Sequence, residues 1–116
     1  MTIPELFDGS GIPIAYDHFA EGEAPDPPFI CYLIPGSDSF SADDSTYYRI
    51  DQIHLELYTD YKDIAAEWRV EKILREAGIP YQKSEVWIEE EKLYEILYRF
   101  EQEALTEQEE RSITNE

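Results

Sequence analysis

Basic residues are scarce in this chain: 9 lysines and arginines stand against 27 acids, for a formal net charge of −18. Affinity for a phosphate backbone rests on Lys and Arg, so free DNA or RNA binding is disfavoured. Docking on anionic membranes is disfavoured for the same reason. The single cysteine, Cys31, cannot form an internal disulfide, and its apolar neighbours mark it as a small buried thiol. No apolar run approaches the roughly 20 residues needed to cross a bilayer. There is no basic-then-apolar leader either, so the chain is expected to be unexported. Histidine is limited to His18 and His54. Neither G-x-x-x-x-G-K-[ST] nor G-x-G-x-x-G occurs, so no nucleotide site is indicated.

What is present suffices for one folded unit. The chain has 116 residues, of which 42% are apolar and 14% aromatic, largely through nine tyrosines. That length fits a single domain, and the composition is not that of a disordered chain. The charge is uneven: −11 over residues 1–60, −2 over 61–100 and −5 over 101–116.

Along the chain, "TIPELFDG" reads as one or two helical turns, with Thr2 as N-cap and Gly9 or Gly11 as stop. "IPIAYDHF" (12–19) suits a first strand that Pro13 pushes to an edge, and 20–28 is a loop. "FICYLI" (29–34) is apolar on both alternating faces, as in a central strand covered on both sides. "YYRIDQIHLELYT" (47–59) alternates, with Ile53, Leu55 and Leu57 one way and His54, Glu56 and Tyr58 the other. Residues 60–78 form the clearest helix, with Asp60 as cap and Gly78 as stop. Its apolar stripe is Ala66, Val70, Ile73, Leu74 and Ala77, while Tyr61, Ile64 and Trp68 fall on nearly the opposite side. Residues 81–101 read as two strands around "EEEK", with Tyr94, Ile96, Tyr98 and Phe100 on one face. The expected fold is α+β, in the order α-β-β-β-α-β-β. An antiparallel-rich sheet of about five strands carries one long helix on one face and a short N-terminal helix. One domain spans 1–101; residues 102–116 form an acidic tail, frayed or weakly helical.

The stretch "IPGSDSFSADD" (34–44) is the place to look for chemistry. A nucleophilic serine needs a base within hydrogen-bonding reach, usually a histidine held by a third group. Neither His18 nor His54 has such a context for Ser37 or Ser39, and "GSDS" is not the G-x-S-x-G elbow. The aspartates lack the D-x-[DN]-x-[DN]-G spacing of a calcium loop. Asp17–His18 offers too few ligands for zinc. The stretch therefore reads as the polar tip of a long hairpin. No catalytic, cofactor or metal site is expected.

Two aromatics stand apart, Phe40 in the polar stretch and Trp68 on the back of the helix. Phe40 can fold back over the sheet and Trp68 can lie beneath the N-terminal segment. Alternatively both contact other subunits, since aromatics are enriched at protein interfaces. The candidate interface set is Ser37, Asp38, Phe40, Asp43, Asp44, Tyr61, Ile64 and Trp68.

"AYDHF", "PGSDSFSADD", "ELYTDYKD" and "EKLYEILYRFE" resemble a family of small proteins encoded among the head–tail genes of siphophages and prophages of Gram-positive bacteria. The likeness runs from about residue 3 to 101 and is to tail terminator, or tail-completion, proteins. It implies a small α+β fold and a ring, commonly a hexamer, that caps the last tier of the tail tube. Such a ring stops polymerisation and presents a surface to the head connector. The implied partners are copies of the chain itself, the tail tube protein and the head connector or stopper. The implied location is the virion neck, after assembly in the host cytoplasm. The likeness carries no catalytic residue and no cofactor, and the 37–44 stretch becomes a candidate for ring or tube contacts.

Two other roles fit the charge or the resemblance. One is a head–tail connector or stopper of the same neck. The other is an acidic DNA-mimicking inhibitor, against which the seven bases of residues 61–100 weigh.

Overall fold

The computed structural model describes residues 1–42 and 46–104. Seven elements follow in chain order: α1 (Ile3–Leu6), β1 (Ile14–Tyr16), β2 (Phe29–Ala42), β3 (Thr46–Thr59), α2 (Ile64–Glu76), β4 (Gln82–Ile88) and β5 (Leu93–Glu103). The five strands form one sheet in the order β1-β2-β3-β5-β4. Only the β1–β2 contact is parallel; the others are antiparallel. Since β5 is antiparallel to both its neighbours, β4 runs parallel to β3, and α2 carries the chain over β5 between them. This is a split β-α-β arrangement. The α+β class, the element order and the single long helix on one face agree with the sequence.

Local chemistry explains the helix ends. Thr2 and Glu5 form a reciprocal capping box, each side chain accepting from the other's backbone N–H. The long helix is shorter than its periodicity implies, because Asp63 rather than Asp60 caps it. The Asp63 carboxylate accepts from the Ala66 N–H at 3.1 Å. Lys62 stays outside the helix and pairs instead with Glu67 and Glu85. At the other end Gly78 takes φ +72°, with Gly78 N–H bonding the Arg75 carbonyl and Ile79 N–H the Leu74 carbonyl. That is a Schellman closure, which a residue with a Cβ makes less readily.

The core lies between α2 and one sheet face. Ala66, Val70 and Leu74 pack on Ile30, Ile53, Leu55, Leu57, Ile96, Tyr98 and Phe100, with Ile3, Phe7 and Ile12 closing one side. Ile73 is half-buried, as the stripe expects, but Ala77 is exposed. The alternation expected for residues 53–58 and 94–100 is present: Leu55 faces Tyr98 and Leu57 faces Ile96 across the β3–β5 ladder.

Further expectations need correction. First, residues 35–42 are not a loop: β2 and β3 stay paired out to Ala42 and Thr46. The register shifts between Leu33 and Gly36, a bulge that absorbs the missing N–H of Pro35. Beyond it, side chains bond across the ladder, Ser37 Oγ to Asp51 at 2.5 Å and Gln52 Nε2 to Asp38 at 2.8 Å. Second, β2 is covered on both faces only at its start. Ile30 faces α2, Phe29 packs against Phe19 and Tyr58 on the other side, and Ile34 is exposed. Third, the first strand is Ile14–Tyr16 only, an edge strand as Pro13 implies. β5 continues to Glu103, past the boundary expected at Glu101. Asp43, Asp44 and residues 105–116 lie outside the described residues.

Candidate assembly surface

Pairing and packing divide the interface candidates into two patches. The first sits on the hairpin. Phe40 stacks on Tyr48, with ring centroids 5.6 Å apart and planes 25° off parallel. Phe40 is 51% exposed, so it does not fold back over the sheet. Alternation assigns these rings to a sheet face. Ile53, Leu55 and Leu57 point at α2, so Gln52, Ile50 and Tyr48 belong to the face that α2 leaves uncovered. Asp38 lies opposite Ile50 and Phe40 opposite Tyr48, which places Asp38 and Phe40 on that face too. Ser37 belongs to the other face, where its hydroxyl holds Asp51. Arg49 Nε reaches the same carboxylate at 3.1 Å. Ser37 thus ties the two strands of the hairpin together.

The second patch is the outer side of α2. Trp68 is 69% exposed, Ile64 is exposed one helical turn before it, and Tyr61 is exposed in the segment ahead of the helix. The N-terminal segment instead packs through Ile3, Phe7 and Ile12 into the core; it does not cover Trp68. Following the helix at 100° per residue from Ile64 through Trp68 leads to Lys72 and Arg75, both exposed. The outer stripe is thus apolar at its start and cationic at its end.

Sequence reasoning missed an ionic network on the flank of the same helix. Glu67 is only 2% exposed, yet its carboxylate meets Lys62 and Lys83, each at 2.7 Å. Lys83 also reaches Glu71 at 2.7 Å, and Glu71 accepts from the Tyr98 hydroxyl at 2.7 Å. Burial pushes the Glu67 carboxyl up, but the hydrogen bonds and charges of the two lysines outweigh it and hold it below the ordinary value. The network clamps α2 to β4. Its one sequence signal is the spacing of Glu67 and Glu71 on a helical face; their partners on β4 are invisible without the fold.

The uncovered sheet face holds a second acidic group. The Tyr58 hydroxyl lies 3.0 Å from Glu95 and 3.3 Å from Glu56. Burial first, and the Glu95 charge second, push the Glu56 carboxyl up to about 7. Burial also pushes the neighbouring Cys31 thiol up to about 11, helped by the charges of Glu56 and Asp17. A thiol with that value stays protonated and is a poor nucleophile at neutral pH.

The serine–histidine question has a geometric answer. The exposed His18 bonds Asp17 at 2.9 Å, and Ser37 bonds Asp51. His54 lines a cleft of about 610 Å³ at the start of β4, with Gln52, Tyr81, Gln82, Arg99 and Glu101. Neither Ser37 nor Ser39 lines it. No protein-family model and no curated protein matches the chain.

Proposed function

We propose that this chain is a structural protein of the phage neck: a tail terminator that forms a ring, caps the tail tube and presents a surface to the head connector. It works by contact between copies and with neighbouring proteins, with no catalytic step and no cofactor. The observation that carries this reading is Trp68, a large aromatic 69% exposed on a helix whose other side is core. Isolated exposed apolar residues are ordinary. Here Ile64, one helical turn before Trp68, extends the patch, Tyr61 is exposed just ahead of the helix, and the Phe40–Tyr48 stack forms a second patch. Exposed apolar patches of this kind favour association.

Two different patches on one chain suit head-to-tail contacts, which close into rings when the rotation between neighbours allows. The high negative charge is compatible with a ring if the acids face solvent, a lumen or basic neighbours. A negative lumen would also let DNA pass without sticking. The expected element order of the resembling terminators, helix, strands, long helix, strands, is the order found here.

The deciding experiment is electron microscopy of particles made without this gene product. Abnormally long or headless tails support termination of tube growth. Tailless capsids that leak DNA point instead to a connector or stopper. Absence of the protein from purified virions, together with DNA-competed binding to a nuclease, would point to a DNA mimic.

A further inference from the structure

We infer that the hairpin of one copy docks lengthwise on the outer stripe of α2 in the next, aromatic on aromatic and acid on base. This contact presupposes the assembly proposed above and names its two halves.

The hairpin half is a ladder of rows on the uncovered sheet face. The outermost row whose side chains are described is Phe40 beside Tyr48. Next comes Asp38, Ile50 and Glu103, aligned across three strands, and then Gly36, Gln52 and Glu101. Aromatics therefore lead and three carboxylates follow. None of Asp38, Glu101 and Glu103 has a cationic partner among the described residues. Among the described residues Asp38 accepts from the neutral Gln52 amide.

The helix half runs Ile64, Trp68, Lys72, Arg75. Arg75 has no ion pair among the described residues, and Lys72 reaches Glu76 only loosely, at 3.9 Å with both side chains 67% exposed. Of the other bases in residues 61–100, Lys62 and Lys83 are held by Glu67, Lys92 pairs with Glu89, and Arg69 bonds the Ser10 carbonyl. Arg99 lines the cleft with His54 and Glu101, away from the exposed aromatics. In a chain of net charge −18, the outer side of α2 is thus where cations stand beside exposed aromatics.

The two halves match in scale. Rows on one face of a strand recur every two residues, about 7 Å apart. On the helix, Lys72 lies about 6 Å and Arg75 about 10 Å beyond Trp68. A Phe40–Tyr48 stack set against Ile64 and Trp68 brings the acidic rows opposite Lys72 and Arg75. The contact also relieves part of the self-repulsion of an acidic assembly. One patch lies on the outer side of α2 and the other on the sheet face that α2 leaves bare. A copy therefore cannot satisfy its own patches, and the contact propagates from copy to copy.

The test uses two charge-reversed full-length chains, followed by analytical ultracentrifugation at matched concentration. One carries Lys72→Glu and Arg75→Glu; the other carries Asp38→Lys and Glu103→Lys. Wild type should assemble, and each variant alone should sediment as a monomer. Their equal mixture should recover the wild-type assembly, because each junction again joins opposite charges. Variants that assemble like wild type, or a mixture that fails to recover, overturn this docking while leaving ring assembly standing. A wild-type chain that is monomeric at every concentration overturns both. A photo-crosslinking residue placed at Trp68 gives a check that does not depend on the variants' folding. It should label residues 38–40 or 48–50 of a neighbouring copy; labelling confined to other regions overturns the contact.

Discussion

Phe40 and Tyr48 face each other across the hairpin, stacked with ring centroids 5.6 Å apart on the side of the sheet that carries no helix. A stacked pair contributes about 0.5–1.5 kcal/mol beyond its area burial, and this one is half exposed. Its removal should therefore cost little fold. Phe40→Ala is expected to lower stability by no more than about 1 kcal/mol, read by thermal unfolding, while preventing assembly. A large loss of stability would show that the ring belongs to the fold rather than to a contact.

Glu67 should behave in the opposite way. Its buried carboxylate bridges Lys62 and Lys83, so Glu67→Ala removes that bridge and leaves Lys62 with Glu85 and Lys83 with Glu71. Because both lysines are partly exposed and keep a carboxylate, the expected cost is about 1–3 kcal/mol, the scale of lost hydrogen bonds to a charged group. Because the folded value of Glu67 is depressed, the stabilisation is present above the ordinary carboxylate range and is lost as pH falls through the folded value. Urea unfolding of wild type and variant at neutral and acid pH measures both effects. The difference between the two chains should narrow in acid.

Glu56 carries the reverse sign. Its ordinary value of 4.5 is raised to about 7 in the fold, so the folded chain keeps a proton that the unfolded chain releases between those values. Its contribution to stability therefore falls as pH rises through that window. Glu56→Gln should raise the melting temperature above about pH 7 and leave it nearly unchanged near pH 4. Melting curves of the two chains across that range should diverge towards alkaline pH; a constant difference would contradict the assignment.

Gly36 offers a local test of the bulge. A Cβ at this position would stand 2.8 Å from Gln52 Oε1, so Gly36→Ala must displace the amide that bonds Asp38. The expected loss is about 1 kcal/mol, the scale of one hydrogen bond. Adding Gln52→Ala to Gly36→Ala should make the glycine change nearly neutral. The comparison is a double-mutant cycle read by chemical denaturation.

Much of the fold was legible because the chain states its periodicities plainly. Ile53, Leu55 and Leu57 alternate, Ala66, Val70 and Leu74 recur every four residues, and Thr2 and Gly78 punctuate. The hairpin's length was not legible, because Pro35-Gly36 carries the chemistry of a turn and of a bulge alike. What decides between them is Asp51 and Gln52 on the other strand, bonding Ser37 and Asp38. The start of α2 at Asp63 rather than Asp60 was not legible either, because the pull of Glu67 and Glu85 on Lys62, which favours the later start, comes from the fold. Trp68 and Phe40 stood out as aromatics without an obvious core role. Lys72 and Arg75 did not, since a charged helix face ordinarily means only solvent. Their meaning comes from sharing a stripe with Trp68 in a chain otherwise rich in acid.

Whether this molecule acts through its outside is tested most directly by sedimentation of the full chain with and without the Trp68 ring. Wild type should sediment as a closed assembly of several copies, and Trp68→Ala as a folded monomer with an almost unchanged melting temperature. Equal sedimentation of the two chains, with partner binding also unaltered, would contradict the account.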